Sequence, residues 1–156
     1  MSKFLLVGSD PECFLRDRDG NLVSSIGLIP GSKTYPHKTP NGSVQPDNII
    51  AEFNSKPAST LAEFIENHRL IIKDLSEIIE PFDLQLDFVG SVIANEELLS
   101  DPVTREAGCE PDFNAWTLSI NPRADYSTTL MRAAGGHLHI SFDQSVGSEE
   151  NRIILS

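Results

Sequence analysis

At 156 residues, with 39% hydrophobic and 22% charged positions, the chain has the size and composition of one globular domain, yet is short for an enzyme with two substrate sites. No apolar run approaches the ~20 residues that span a bilayer, and Met-Ser-Lys-Phe-Leu-Leu-Val is too short an apolar start, with no small-residue cleavage site, for a signal peptide; a cytoplasmic location is expected. A formal net charge of -11 argues against nucleic acid or membrane partners, whose phosphates must be neutralised by Lys and Arg, and leaves excess acid available to cations.

Lys3 to Val7 reads as an entering strand that Asp10 to Arg16 continues, with Asp10, Glu12 and Phe14 on one side and Cys13 and Leu15 on the other. Asp19-Gly20 is a hairpin turn signal before a returning strand from Asn21 to Ile26. Residues 27 to 46 hold so many glycines and prolines that they read as one long loop, in which Lys33 and His37 could touch a ligand. From Asp47 the pattern recovers into a strand, Asn48 to Asn54, with Ile49, Ala51 and Phe53 on one face and Ile50, Glu52 and Asn54 on the other.

Apolar residues at helical spacing predict a helix from Thr60 to Glu80, with a Thr60/Glu63 capping box and Pro81 as its stop. Phe64, Ile65, Leu75 and Ile79 should pack on the sheet, leaving His68 a partly buried helix residue. Leu84 to Ala94 reads as a strand, Asn95 to Asp101 as a turn or short helix, and Trp116 to Ile120 and Ala134 to Asp143 as strands. Several strands around one long helix, without βαβ alternation, predict an α+β domain with a mostly antiparallel sheet, one face under the helix and the other free for chemistry.

Three segments bear candidate ligands. In Gly135-Gly136-His137-Leu138-His139-Ile140-Ser141-Phe142, alternation puts His137, His139 and Ser141 on one face and Leu138, Ile140 and Phe142 in the core; an imidazole pair at i and i+2 can chelate a divalent ion. In Gly8-Ser9-Asp10-Pro11-Glu12, two carboxylates share a face, a repulsive arrangement that a cation relieves. Glu52 interrupts an apolar run and should be paired or liganded if buried. Each has a plainer reading as solvated surface; together they favour a hard-metal site, Mg²⁺ or Mn²⁺ over zinc. Cys13 and Cys109 are too few and too far apart for a disulfide framework or a zinc knuckle, and reduced buried thiols are expected.

The ordered series GSDPECFL, IPGSK, VQPDNIIAEFNSKPA, AGCEPDFNAW and RAAGGHLHISF resembles the phage carboxylate-amine ligase family, type 2, a distant branch of the glutamine-synthetase and glutamate-cysteine-ligase fold. The likeness touches nearly the whole chain; no single motif is specific, the ordered set of five is. It implies an ATP-dependent ligase that forms an amide through an acyl phosphate, with ATP and Mg²⁺ or Mn²⁺ as cofactors and small-molecule or peptide carboxylates and amines as substrates. It implies Asp10, Glu12, Glu52 and His137 as metal ligands, with Asp47 a weaker candidate, and His139 and Ser141 toward nucleotide or substrate. A phosphoryl group in flight would need cations, for which Lys33, Arg123 and Arg132 are the candidates, Arg132 foremost because it lies five residues before His137, and Arg132 and His139 are the candidate catalytic residues. Relatives continue beyond the Gly-x-His strand, so the chain is expected to be the N-terminal half of such a catalytic domain, its site completed by a second chain or a homo-oligomer. Two rival readings stand beside it. A cupin-like metalloprotein would use His137, His139, Asp143 and Gly147, and a phage interaction or nucleotide-binding protein would keep the scaffold without turnover.

Overall fold

The structure is a computed structural model that describes residues 5–105, 111, 113–123 and 125–141. In chain order the strands are β1 (Leu6–Ser9), β2 (Glu12–Arg16), β3 (Leu22–Val23), β4 (His37–Thr39), β5 (Gly42–Asp47), β6 (Ile50–Ser55), β7 (Gln85–Asp87), β8 (Ser91–Ile93), β9 (Phe113–Asn114), β10 (Ser119–Ile120), β11 (Met131–Ala133) and β12 (Leu138–Ser141). The one α-helix among the described residues, α1 (Leu61–Ile79), runs on into a 3₁₀ turn at Glu80–Phe82. Among the described residues all strand pairs are antiparallel, and the largest sheet runs β3-β2-β6-β5-β4 with β7 also on β2, so the α+β architecture expected from the pattern is the one observed.

The helix starts where its cap predicts. Thr60 Oγ1 accepts from the Glu63 N–H at 3.2 Å, and the Glu63 carboxylate turns back to the Ser59 N–H at 2.9 Å. Ile71, Leu75 and Ile79 bury against Cys13, Leu15, Val44, Ala51 and Phe53, which all lie on one face of the central sheet. Phe64 is only half-buried and Ile65 is 58% exposed, so the first turns of α1 overhang the sheet and the contact expected from Ile65 is absent. Asp74, buried on the helix, accepts from both the backbone N–H (3.0 Å) and the side-chain amide (2.8 Å) of Asn41, pinning the β4–β5 turn to α1.

The long loop predicted over residues 27 to 46 is overturned in its second half, which forms the β4–β5 hairpin. Each breaker there has a local use. Pro40 lies in the turn, and Gly42 is where the sheet admits no side chain, since a Cβ would fall 2.1 Å from the Asn54 carbonyl oxygen. Pro46 faces Ala51, next to the Asp47–Ile50 pair that closes the two-residue Asn48–Ile49 turn. In an antiparallel ladder that neighbouring position makes no mutual hydrogen bonds, so the missing N–H costs nothing. Other strands are shorter than predicted. The run from Leu84 to Ala94 breaks into β7, paired with β2, and β8, paired with β11, while Trp116 lies in the turn of a β9–β10 hairpin.

The sheet face away from α1 is not wholly open. Phe14 and Ile50 on that face are buried by Val92, Ala94 and Leu99 in a second small core, and the acidic residues occupy what remains beside it. Leu138 and Ile140, expected in the core, are 66% and 44% exposed, because β12 pairs with β1 as a separate two-stranded ribbon. No described helix is long and apolar enough to cross a membrane. Cys13 is fully buried, and burial, with Asp87 and Glu12 nearby, pushes its thiol up to about 12, which leaves it unreactive; Cys109 and the strand start at Lys3 lie outside the described residues.

Candidate functional site

Strand register assembles the site. Glu12 on β2 faces Glu52 on β6, and Glu52 in turn faces Gln45 on β5; Asp47, two residues on, shares the face of Gln45. One carboxylate oxygen each from Glu12, Asp47 and Glu52 lie within 4.8 Å of one another. Asp47, the weaker candidate in the sequence, is thus a full member of the cluster. The Gln45 amide donates to Glu52 Oε2 at 2.9 Å, and Lys33 Nζ lies 2.9 Å from Asp47 Oδ2.

This concentration of charge acts on the carboxyls themselves. Burial pushes the Glu12 carboxyl above its ordinary value, and the neighbouring Asp47 adds to that shift against the Gly135 N–H and Lys33. Burial likewise raises Glu52, with Asp47 and Asp10 adding repulsion that the Gln45 amide and Lys33 only partly offset. Among the described residues, two buried oxygens in the group have no hydrogen-bond donor, Asp47 Oδ1 and Gln45 Oε1. Residues 94% or more buried rarely leave acceptors unmet. Hard oxygen donors, unmet acceptors and a lysine ammonium already drawn in among them fit a hard divalent cation.

Asp10 belongs to an adjoining layer. Residues 135–137 run antiparallel beside Asp10–Glu12, with Glu12 N–H donating to Gly135 O at 3.0 Å and Asp10 N–H to His137 O at 3.3 Å. Carboxylates then close the return path, Glu12 Oε2 accepting from Gly135 N–H and Asp10 Oδ1 from His137 N–H, each at 2.7 Å. Gly136 permits this approach, since a Cβ there would fall 2.9 Å from Pro11 Cα. His139 Nε2 is 3.0 Å from Asp10 Oδ2, and His137 Nδ1 is 3.3 Å from Oδ1. Burial tends to raise Asp10, but the His139 hydrogen bond, the His137 N–H and both imidazoles outweigh it and hold the carboxyl below its ordinary value.

Of the residues singled out from sequence, Glu12, Asp47 and Glu52 converge, with Lys33 on Asp47, whereas Asp10, His137 and His139, expected to share that site, form a separate contact group beside it and are not members of the three-carboxylate cluster. Ser141 is exposed at the far end of β12, opposite Leu6, and Arg123 is an exposed residue of the segment after β10. The expectation for Arg132 fails. Its guanidinium is buried and donates to the carbonyls of Thr104 (3.1 Å), Thr129 (2.9 Å) and Met131 (2.7 Å), so it braces the β8–β11 region and offers nothing to a phosphate. His68 is, as expected, a partly buried helix residue, its ring held between Phe64 O and the Ser9 hydroxyl. Sequence reasoning missed Gln45, whose signal is its place two residues before Asp47, hidden because Pro46 between them masked the strand. Asp143 and Gly147, needed for a cupin-like motif, lie outside the described residues.

No protein-family model, curated protein or solved structure matches the chain.

Proposed function

We propose that the chain is an ATP-dependent carboxylate-amine ligase, a reading supported above all by the convergence of Glu12, Asp47 and Glu52 with the unmet oxygen acceptors of Asp47 and Gln45. In this reaction the γ-phosphoryl of ATP passes to a carboxylate oxygen, releasing ADP, and an amine then attacks the acyl carbon, expelling phosphate and leaving the amide. Glu12, Asp47 and Glu52 would hold Mg²⁺ or Mn²⁺, with Gln45 as a neutral oxygen donor. A bound ion there supplies positive charge to phosphate oxygens. Asp10, ionised at neutral pH, keeps His139 and the residue 135–137 backbone in register with Glu12 and so fixes the rim of the site. Lys33 is the cation at hand for the transferring group.

One observation favours a second reading, a nucleotide-binding protein without turnover. Phosphoryl transfer calls for several preorganised cations, and Arg132 is committed to backbone carbonyls. The test separates the two. Calorimetric titration with Mn²⁺ and then with a non-hydrolysable ATP analogue is followed by phosphate release across carboxylate and amine donors. The ligase reading expects metal-dependent nucleotide binding and donor-dependent phosphate release, both lost in Glu52→Gln. Binding without release leaves the second reading, and absence of Mn²⁺ binding by the wild type removes both.

A further inference from the structure

Three of the chain's five lysines, Lys33, Lys38 and Lys56, line a single open groove of about 690 Å³. In a chain of net charge -11 that is a marked local reversal of sign. The groove is the continuation of the acidic face. On β5, Ser43 precedes Gln45 by two positions, and on β6, Asn54 follows Glu52 by two, so both point the same way as the carboxylates; Ser43 faces Asn54 across β5–β6 and Lys38 across β4–β5. Gln45 lines the groove as well as touching Glu52, and Lys33 lines it while its ammonium reaches Asp47. One sheet face thus grades from carboxylates at Glu12 and Glu52, through Gln45 and Lys33, to lysines, a hydroxyl and an amide.

We infer that this groove is an oxyanion-binding subsite, built to hold a phosphate or carboxylate group of a ligand whose other end meets the cation cluster. A lysine trio with Ser43 and Asn54 provides charge and directional donors for an oxyanion. The Lys56 side chain lines the groove while its ammonium donates to Pro40 O, in the β4–β5 turn, at 2.7 Å. Lys33 is the shared element: a cation entering beside Asp47 repels its ammonium toward the groove, where a bound anion receives it, so the two ligands assist one another. The inference deepens the proposed function and rests on that reading for the cation half alone.

The experiment uses two probes, inorganic tripolyphosphate and glutarate, titrated calorimetrically into the wild-type chain with and without Mn²⁺. Lys38→Met and Lys56→Met are the groove variants, and Lys73→Met, on the outer surface of α1, is the control for overall charge. We expect at least one probe to bind, Lys38→Met to weaken it about tenfold, as for loss of one charge-assisted hydrogen bond, and Lys73→Met to change it less than twofold. Tripolyphosphate binding alone assigns the groove to phosphate, and glutarate binding alone to a carboxylate substrate. Failure of both probes, or equal losses in Lys38→Met and Lys73→Met, overturns the subsite. Mn²⁺ binding that persists in that event leaves the cation cluster standing, so the two claims fail separately. Lys56→Met, which also loses its bond to Pro40, is read only alongside unchanged thermal unfolding, and Lys38→Met decides if it is not.

Discussion

Replacing Glu52 by glutamine should strengthen the metal-free protein while weakening its hold on a cation. Glu52 shares a volume 4.8 Å across with Glu12 and Asp47. Two unit charges at that separation repel by about 3 kcal/mol at an effective dielectric near 20, and by about 1 kcal/mol in bulk water. Lys33 opposes part of this through its pair with Asp47. The substitution is isosteric, and the new side chain keeps a carbonyl oxygen to accept the Gln45 amide, now at 2.9 Å from Glu52. We therefore expect a net gain of about 1 kcal/mol at pH 7, roughly 2–4 °C in Tm for a chain of this size, with Mn²⁺ affinity reduced at least about tenfold. Differential scanning calorimetry without metal and Mn²⁺ titration of the same samples measure both. A loss of stability together with unchanged Mn²⁺ affinity would refute the reasoning, because it would make Glu52 a structural acceptor and not a member of a repulsive cation site.

The raised carboxyls of Glu12 and Glu52 bind their protons more tightly in the folded chain, so stability should fall as pH rises from the ordinary glutamate value near 4.5 toward their folded values and level off above them; Mn²⁺ affinity should climb over the same interval, and urea titrations with parallel metal titrations follow the two. Asp10 works in the opposite sense, contributing stability above its ordinary 3.8 that is lost as pH falls through its lower folded value, and Asp10→Asn should remove that acid-side loss in the same urea series. Gly136→Ala, whose new methyl meets Pro11, should cost about 1–3 kcal/mol by chemical denaturation. Asp74→Ala strands the Asn41 N–H that it now accepts, and about 1–3 kcal/mol should be lost with faster amide exchange in the β4–β5 turn.

What the sequence makes legible follows from which signals are local. The helix announces itself through its 3.6-residue apolar period and the Thr60 cap, and both are found where read. The i, i+2 alternations at Asp10–Glu12 and His137–His139 put the right groups on one face before any pairing is known. The β4–β5 hairpin is illegible because its prolines and glycines are tolerated by tertiary circumstances, a non-bonded ladder position at Pro46 and a side-chain-free contact at Gly42, that no local pattern contains. Missing that hairpin hid Gln45 and demoted Asp47. Arg132 is illegible for a related reason. Proximity in sequence to His137 says nothing about direction, and a guanidinium on β11 turns to the carbonyl of Thr104, 28 residues earlier.

The three acidic strands owe their convergence to a register that no single contact enforces. Glu12 and Glu52 are cross-strand partners, an arrangement that ordinarily destabilises a sheet. Three things hold it. On the opposite face Cys13, Ala51 and Phe53 are locked under Ile71 and Leu75, and slipping the β2–β6 register by one residue would turn that apolar row outward. At the edge, Gly135 and His137 bind Glu12 and Asp10 through backbone N–H groups, so the carboxylates zip the returning strand to the sheet. From above, Lys33 supplies the countercharge. Hydrophobic burial on one face therefore maintains electrostatic strain on the other, and a cation bound among the three carboxylates would relieve part of it.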